Sequence, residues 1–136
     1  MPKVFVDTAA WIALINVSSD VLHTPAQQVM NTLSQQNALL VTTEFVLLEV
    51  ADALSAPGFR TKVVTFLNHL RQLTVLQITP ASSSMFAEGW RLYSQRPDKE
   101  WGLTDCISFA AMMQEQTTQA FTSDRHFEQA GFVKLL

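Results

Sequence analysis

Short apolar runs alternate with longer amphipathic segments along the whole chain. Continuous apolar runs are typical of strands buried on both faces, whereas apolar residues three and four positions apart indicate one face of a helix. Strands are predicted at 4–6, 38–41, 73–78, 120–121 and 133–136. Helices are predicted around 11–15, 23–36, 44–54, 63–70, 85–92, 103–116 and 124–130. The pattern predicts an α/β fold with a central parallel sheet of five strands between two layers of helices.

Polar and small residues mark the ends of these segments. Thr42-Thr43 and Ser82-Ser83-Ser84 are predicted to cap the helices that follow them, because hydroxyl side chains accept hydrogen bonds from the first free N–H groups. Pro57-Gly58 is predicted to break the chain, and Gly131 to end the helix before it. Residues 95–102 form the clearest loop. No linker or repeat divides the chain, so a single domain over residues 1–136 is expected.

Composition narrows the class of protein. Apolar residues make up 48% of the chain, which excludes an intrinsically disordered protein. Asp7, Asn16 and Glu44 interrupt the apolar runs well before membrane-spanning length, so no membrane partner is expected. The single cysteine, Cys106, excludes an intrachain disulfide, and the amino terminus lacks the pattern of a signal peptide. These features predict a cytoplasmic protein.

Two acidic residues directly follow predicted strands. Asp7 follows the first strand and Asp124 comes soon after the fourth. Parallel sheets bind their ligands at the carboxyl ends of the strands, so both side chains are expected at the same edge. Asp105 is predicted in the first turn of the next-to-last helix, and Glu49 on an apolar helix face where a carboxylate needs a partner.

Each acid also has an alternative interpretation. Asp7, Asp105 and Asp124 stand at predicted helix starts, where a carboxylate caps N–H groups. Glu49 alone is equally compatible with an ordinary hydrogen-bonded helix residue. Four acids brought together would repel each other unless a cation is bound, and carboxylate oxygens are the ligands that Mg²⁺ and Mn²⁺ prefer. The set therefore favours a site for a hard divalent ion.

Other common sites are absent from the sequence. The three histidines and Cys106 lack the spacing of zinc ligands, and no glycine-rich phosphate-binding loop occurs. A receiver domain would need paired acids after the first strand and a lysine after the fourth. A haloacid-dehalogenase phosphatase would need an aspartate at position 9, which is Ala9.

Four segments in order resemble the PIN-domain nucleases, and most closely the VapC-like ribonucleases, many of which are toxins of toxin–antitoxin pairs. The segments are Val4-Phe5-Val6-Asp7-Thr8, Thr43-Glu44-Phe45-Val46-Leu47-Leu48-Glu49-Val50, Trp101-Gly102-Leu103-Thr104-Asp105-Cys106-Ile107-Ser108-Phe109 and Phe121-Thr122-Ser123-Asp124-Arg125-His126-Phe127. The resemblance spans the chain. It departs from the family at Ala9, where many members carry serine or asparagine.

The resemblance implies an endoribonuclease that hydrolyses RNA phosphodiester bonds with a metal-activated water and one or two Mg²⁺ or Mn²⁺ ions. Asp7, Glu49, Asp105 and Asp124 match the family's catalytic and metal-binding acids, and Thr8 and Thr122 match its supporting hydroxyls. It further implies a toxin with an antitoxin partner. The alternatives are an RNA-processing nuclease without a toxin role and a catalytically silent α/β interaction module.

Charge and apolar surplus give two further predictions. The net charge of −3 argues against a nucleic-acid partner, yet removing the four acids leaves eight against nine basic residues. Arg96, Lys99 and Arg125 are predicted to flank the acids and bind RNA phosphates. A surplus of apolar residues predicts exposed surface for a homodimer and an antitoxin groove. Its members are Trp11, Phe59, Phe66, Trp90 and Trp101.

Overall fold

The computed structural model describes residues 1–16 and 20–136, and its centre is a five-stranded, all-parallel sheet. The strands are β1 (Lys3–Val6), β2 (Leu39–Thr43), β3 (Leu76–Thr79), β4 (Gln119–Phe121) and β5 (Val133–Lys134). The helices are α1 (Thr8–Ile15), α2 (His23–Gln35), α3 (Glu44–Ala53), α4 (Pro57–Leu70), α5 (Ser83–Gln95), α6 (Leu103–Gln114) and α7 (Arg125–Gln129). The strand order β3-β2-β1-β4-β5 confirms the predicted fold class.

The first strand lies in the middle of the sheet, between β2 and β4. Its residues Val4, Phe5 and Val6 are completely buried. Because successive side chains of a strand point to opposite faces, their burial shows that both faces of the sheet are covered. Phe5 packs against Phe127 of α7 at 6.4 Å between ring centroids, which anchors the last helix to the central strand.

Predicted caps are confirmed at three helix ends. The Thr43 hydroxyl accepts a 3.1 Å hydrogen bond from the Val46 N–H, and Ser82 caps α5 in the same way. The last cap lies at Gly131, just beyond α7, where φ is +96°. Glycine adopts this left-handed conformation without a steric penalty.

Several predicted boundaries are wrong by a few residues. The third strand was predicted from position 73, but it begins at Leu76 because residues 70–76 turn tightly after α4, with Leu73 N–H donating to the Leu70 carbonyl. Pro57 starts α4 instead of breaking the chain, since the first turn of a helix needs no N–H from proline. The fifth strand ends at Lys134 rather than at Leu136.

Four of the five residues that were named for the predicted apolar surplus lie in the core or against it, although other large apolar side chains are exposed. Trp11 and Trp101 belong to the core, with exposed fractions of 1% and 5%. Trp11 packs against Phe66 of α4 at 6.0 Å, and Phe66 and Phe59 are both partly buried against the core. Trp90 alone of the five is exposed, at 52%. Within residues 1–16 and 20–136, no helix combines the length and hydropathy needed to cross a membrane.

Candidate metal centre

The acidic residues after β1 and β4 meet at one edge of the sheet. Val6 and Phe121 are register partners, and the Asp7 N–H donates to the Phe121 carbonyl at 3.1 Å. Asp7 therefore lies beside the segment that carries Thr122 and Asp124. The structure therefore brings Asp7 and Asp124 to the same edge of the sheet, as the sequence predicts.

Thr122 connects the two acids directly. Its hydroxyl donates a 2.9 Å hydrogen bond to Asp7 Oδ2 and accepts one of 3.1 Å from the Asp124 N–H. Thr122 is fully buried and Asp7 has an exposed fraction of only 5%. One buried side chain thus fixes the position of a carboxylate from β1 and of the backbone that presents a carboxylate after β4.

Glu49 reaches the cluster from α3. The Thr8 hydroxyl donates a hydrogen bond to Glu49 Oε1, so the two residues matched to the family's first hydroxyl and second acid are in contact. Glu49 itself is exposed, and its neighbour Leu48 is 59% exposed. The prediction that Glu49 lies on an apolar face shielded from water is therefore wrong, although the expected partner exists.

Asp105 and Asp124 approach each other through a histidine that the sequence reasoning missed. His126 Nδ1 lies 3.2 Å from Asp105 Oδ2 and 3.4 Å from Asp124 Oδ1. Ligand-type atoms of these three residues all lie within 4.8 Å of one another. The only sequence signal for His126 was its position two residues after Asp124, in the first turn of α7.

The capping interpretation holds for one of the three aspartates. Asp124 Oδ1 accepts a 2.9 Å hydrogen bond from the His126 N–H and so caps α7. Asp7 occupies the N-cap position of α1 but its side chain makes no cap hydrogen bond. Asp105 lies inside the first turn of α6, where Gly102 is the N-cap residue. Capping therefore does not explain why Asp7 and Asp105 are acids.

The electrostatics of the cluster favour a bound cation. The pKa of Asp7 is raised to about 7, mainly by burial and to a smaller extent by the charges of Asp105 and Glu49, whereas hydrogen bonds from the Thr8 N–H and the Thr122 hydroxyl lower it. Burial and then the charge of Asp124 raise the pKa of Asp105, which His126 partly offsets. Among the described residues, no lysine or arginine pairs with these acids.

The donor set fits a hard divalent ion. Carboxylate oxygens dominate it, with one imidazole nitrogen beside them, and such a set suits Mg²⁺ or Mn²⁺. An ion there would replace mutual repulsion by attraction, and would thereby lower the raised pKa of the buried Asp7 carboxyl. Asp105, Asp124 and His126 are the residues whose ligand atoms are close enough to hold one ion together, and the charges of Asp7 and Glu49 lie beside them.

The three basic residues predicted to bind RNA occupy two positions near this edge. Arg125 is exposed and directly follows Asp124. Arg96 and Lys99 lie in the loop before α6, the helix whose first turn carries Asp105. Arg96 is bound by Asp98 through two hydrogen bonds of 3.0 Å, which the sequence did not suggest. Their contribution to RNA binding stays a prediction.

A parallel α/β domain with an acidic cluster at the carboxyl edge of its sheet is the architecture of a known class of proteins. The PIN domain model matches residues 4–133, so the chain belongs to the PIN-domain family. It is 27% identical over 133 residues to the 23S rRNA-specific endonuclease VapC20 of Mycobacterium tuberculosis, a match that covers 97% of each chain.

Solved structures give the same answer for the fold. The crystal structure of M. tuberculosis VapC20, a sarcin–ricin loop cleaving toxin, matches with a TM-score of 0.82 at 26% identity over 96% of each chain. The structure of VapBC2 from Rickettsia felis, bound to a DNA fragment from the VapBC2 promoter, matches with a TM-score of 0.71 at 16% identity. The match covers 97% of this chain and 96% of the Rickettsia chain. FitAcB from Neisseria gonorrhoeae matches with a TM-score of 0.65 at 16% identity, over 96% and 95%.

Proposed function

We propose that this protein is a Mg²⁺- or Mn²⁺-dependent endoribonuclease and the toxin of a VapBC-like pair. The observation that carries the proposal is the convergence of Asp7, Glu49, Asp105 and Asp124 without a paired lysine or arginine among the described residues. A domain that only bound another protein would lower its own stability by keeping such a cluster. A nuclease needs it, because the scissile phosphate and the attacking water both require a cation.

Each side chain has a role that follows from its contacts. Asp7, Asp105, Asp124 and Glu49 would hold one or two ions, with Thr122 fixing the Asp7 carboxylate and Thr8 fixing that of Glu49. When bound, the ions lower the pKa of a water and offset negative charge on the phosphate. A water is the proposed nucleophile, so hydrolysis proceeds without a covalent enzyme intermediate.

RNA as the substrate is supported by the relative and by the basic residues. VapC20 of M. tuberculosis is a 23S rRNA-specific endonuclease and aligns with almost the whole chain. The acids outnumber the basic residues only because of the four residues assigned to the ion. Exposed Arg125, next to Asp124, is positioned to meet a phosphate. Ribosomal RNA is therefore the first substrate to test.

An apolar groove between α1, α2 and α4 suits the predicted antitoxin. The cavity has a volume of about 720 Å³, and its lining is mainly apolar. Its apolar side chains include Trp11, Leu14, Met30, Phe66, Leu73 and Val75. We expect a Met30→Glu variant to lose binding to the product of a small reading frame beside the gene, and Met113→Glu, outside the groove, to retain it. Equal binding by both variants would place the antitoxin elsewhere.

A cleavage assay tests the enzymatic proposal. Purified ribosomal RNA is incubated with wild-type protein, Asp105→Asn and the control Glu88→Gln, whose carboxylate pairs with Arg91 on the surface of α5. Cleavage by the wild type and the control in Mg²⁺ or Mn²⁺, and none with EDTA or in Asp105→Asn, is the expected result. Cleavage that persists in EDTA contradicts the metal role. Cleavage without growth arrest on expression favours an RNA-processing nuclease over a toxin.

A further inference from the structure

Two exposed aromatic rings stack on each other near the carboxyl end of α5. The Trp90 and Tyr93 ring centroids are 5.6 Å apart with an interplanar angle of 22°. Their exposed fractions are 52% and 44%, although the other two tryptophans of the chain lie in the core. The pair contributes little to the hydrophobic core, so its exposure needs another explanation.

These rings line a cavity that reaches the first turn of α6, the helix that carries Asp105. The cavity has a volume of about 710 Å³ and extends from Trp90 and Tyr93 across the loop 96–102 to Leu103 and Cys106 of α6. Asp105 lies between those two residues in the first turn of the same helix. A ligand seated on the aromatic pair would therefore lie next to the helix that presents one of the proposed metal ligands.

Two basic residues also line the cavity. The Arg96 guanidinium lies 5.1 Å and Lys99 Nζ 5.8 Å from the centre of the Trp101 ring. Arg96 is paired with Asp98, and Glu100 also lines the cavity, whereas Lys99 forms no ion pair with any described residue. The cavity thus combines a flat aromatic surface with an ammonium group that forms no ion pair with a described residue.

An unpaired nucleotide fits this combination better than an apolar protein surface does. A base stacks on aromatic rings whatever its identity, and its phosphate attracts lysine and arginine. Bases within a duplex are already stacked and cannot reach such rings. An apolar protein partner would remove Lys99 from water and supply no negative charge in return.

We propose that Trp90 and Tyr93 form a stacking platform for one unpaired RNA base, with its phosphate bound by Lys99, beside the bond that the acidic cluster cleaves. The inference rests on the proposed function and adds to it the side chains that bind the unpaired base. Trp90 and Tyr93 then determine which substrates are bound, and the acidic cluster determines whether they are cleaved.

Binding measured in EDTA separates this inference from the chemistry. A fluorescein-labelled single-stranded RNA is titrated with wild-type protein, Trp90→Ala, Tyr93→Ala and Trp90→Phe, and fluorescence anisotropy gives the Kd. Loss of stacking is expected to raise the Kd about 5- to 100-fold for the alanine variants. Trp90→Phe is expected to retain most of the affinity. Binding of the same sequence as a duplex is expected not to change.

The control variant is Phe86→Ala. Phe86 is 45% exposed, lies one turn before Trp90 on α5 and does not line the cavity. A Trp90→Ala variant that binds single-stranded RNA like the wild type overturns the inference. The inference is also overturned if Phe86→Ala loses as much RNA affinity as Trp90→Ala and sedimentation shows a dimeric wild type but monomeric variants. In that case the aromatic residues bind a second copy of the chain.

The two proposals fail in different ways. A protein that binds unpaired RNA through Trp90 but cleaves none in Mg²⁺ or Mn²⁺ contradicts the nuclease proposal. A protein that cleaves RNA with metal, while Trp90→Ala binds and cleaves normally, contradicts the stacking platform.

Discussion

Thr122 Oγ1 donates a 2.9 Å hydrogen bond to Asp7 Oδ2, and this contact joins residues that are far apart in the chain at the carboxyl edge of neighbouring strands. The same hydroxyl accepts the Asp124 N–H. A single threonine therefore orients one proposed metal ligand and holds the backbone of a second.

Removal of this hydroxyl is expected to weaken the metal site. Thr122→Val keeps the shape of the side chain but deletes both hydrogen bonds, and loss of such supporting contacts typically costs about 10- to 100-fold in metal affinity or activity. Thr122→Ser restores the hydroxyl and is expected to recover most of the loss. Metal-dependent RNA cleavage measures both. Thr117→Val removes a buried hydroxyl outside the site and is the control, so equal losses in the two valine variants would contradict a specific role for Thr122.

The buried carboxyl of Asp7 predicts that metal-free protein loses stability as the pH rises. Its pKa is about 7 in the folded state against 3.8 ordinarily, so the folded state binds more protons than the unfolded state between these values. The free energy of unfolding therefore falls between about pH 4 and pH 7. Asp7→Asn cannot ionise, and is expected to exceed the wild type in stability by at most about 4 kcal/mol above this window.

Urea unfolding in EDTA at both ends of that pH window measures the effect. Near the acidic end the two proteins are expected to differ little. Mn²⁺ added near the basic end is expected to stabilise the wild type, because a ligand that binds only the folded state stabilises it. If the wild type is as stable as Asp7→Asn in EDTA above this pH window, then burial and neighbouring charges do not destabilise the Asp7 carboxylate, and the prediction is contradicted.

Any side chain at position 89 is expected to destabilise the protein. A Cβ at this position would lie 2.9 Å from the backbone N and Cα of Ile107 in α6, so α5 would have to move away from α6. Gly89→Ala is expected to lower the free energy of unfolding by about 1–3 kcal/mol. Gly58, in the first turn of α4, has nothing within 4 Å of such a Cβ. Gly58→Ala is expected to be neutral or stabilising, and equal destabilisation of both variants in urea would contradict the close contact of α5 with α6.

Arg125 is expected to contribute to RNA affinity through charge alone. Arg125→Glu should weaken binding of single-stranded RNA in EDTA at low salt, and should reduce the slope of log K against log salt concentration by about one. Arg71→Glu changes an exposed arginine at the end of α4 and should have a smaller effect. An unchanged slope in Arg125→Glu would remove this residue from the RNA interface.

The position of Asp7 and Asp124 was predictable because parallel strands place their carboxyl ends at one edge, whatever the strand order. The contact of His126 with Asp105 was not predictable, since it depends on the direction in which α7 leaves the sheet. Glu49 was assigned to a buried face because helical spacing does not reveal which neighbours cover a helix. For the same reason, no local signal in the sequence predicts that Trp101 is buried against Phe109, whose ring centroid lies 5.1 Å from that of Trp101.

Direct titration of Mn²⁺ into metal-free protein tests the central claim, which is that the four converging acids form a divalent-metal site. Isothermal titration calorimetry on the wild type, Asp7→Asn, Asp105→Asn and the surface control Glu88→Gln makes the comparison. The account predicts saturable binding by the wild type and the control, and binding at least about 10-fold weaker in both asparagine variants. Equal Mn²⁺ affinity in all four proteins, or no binding by the wild type, would contradict it.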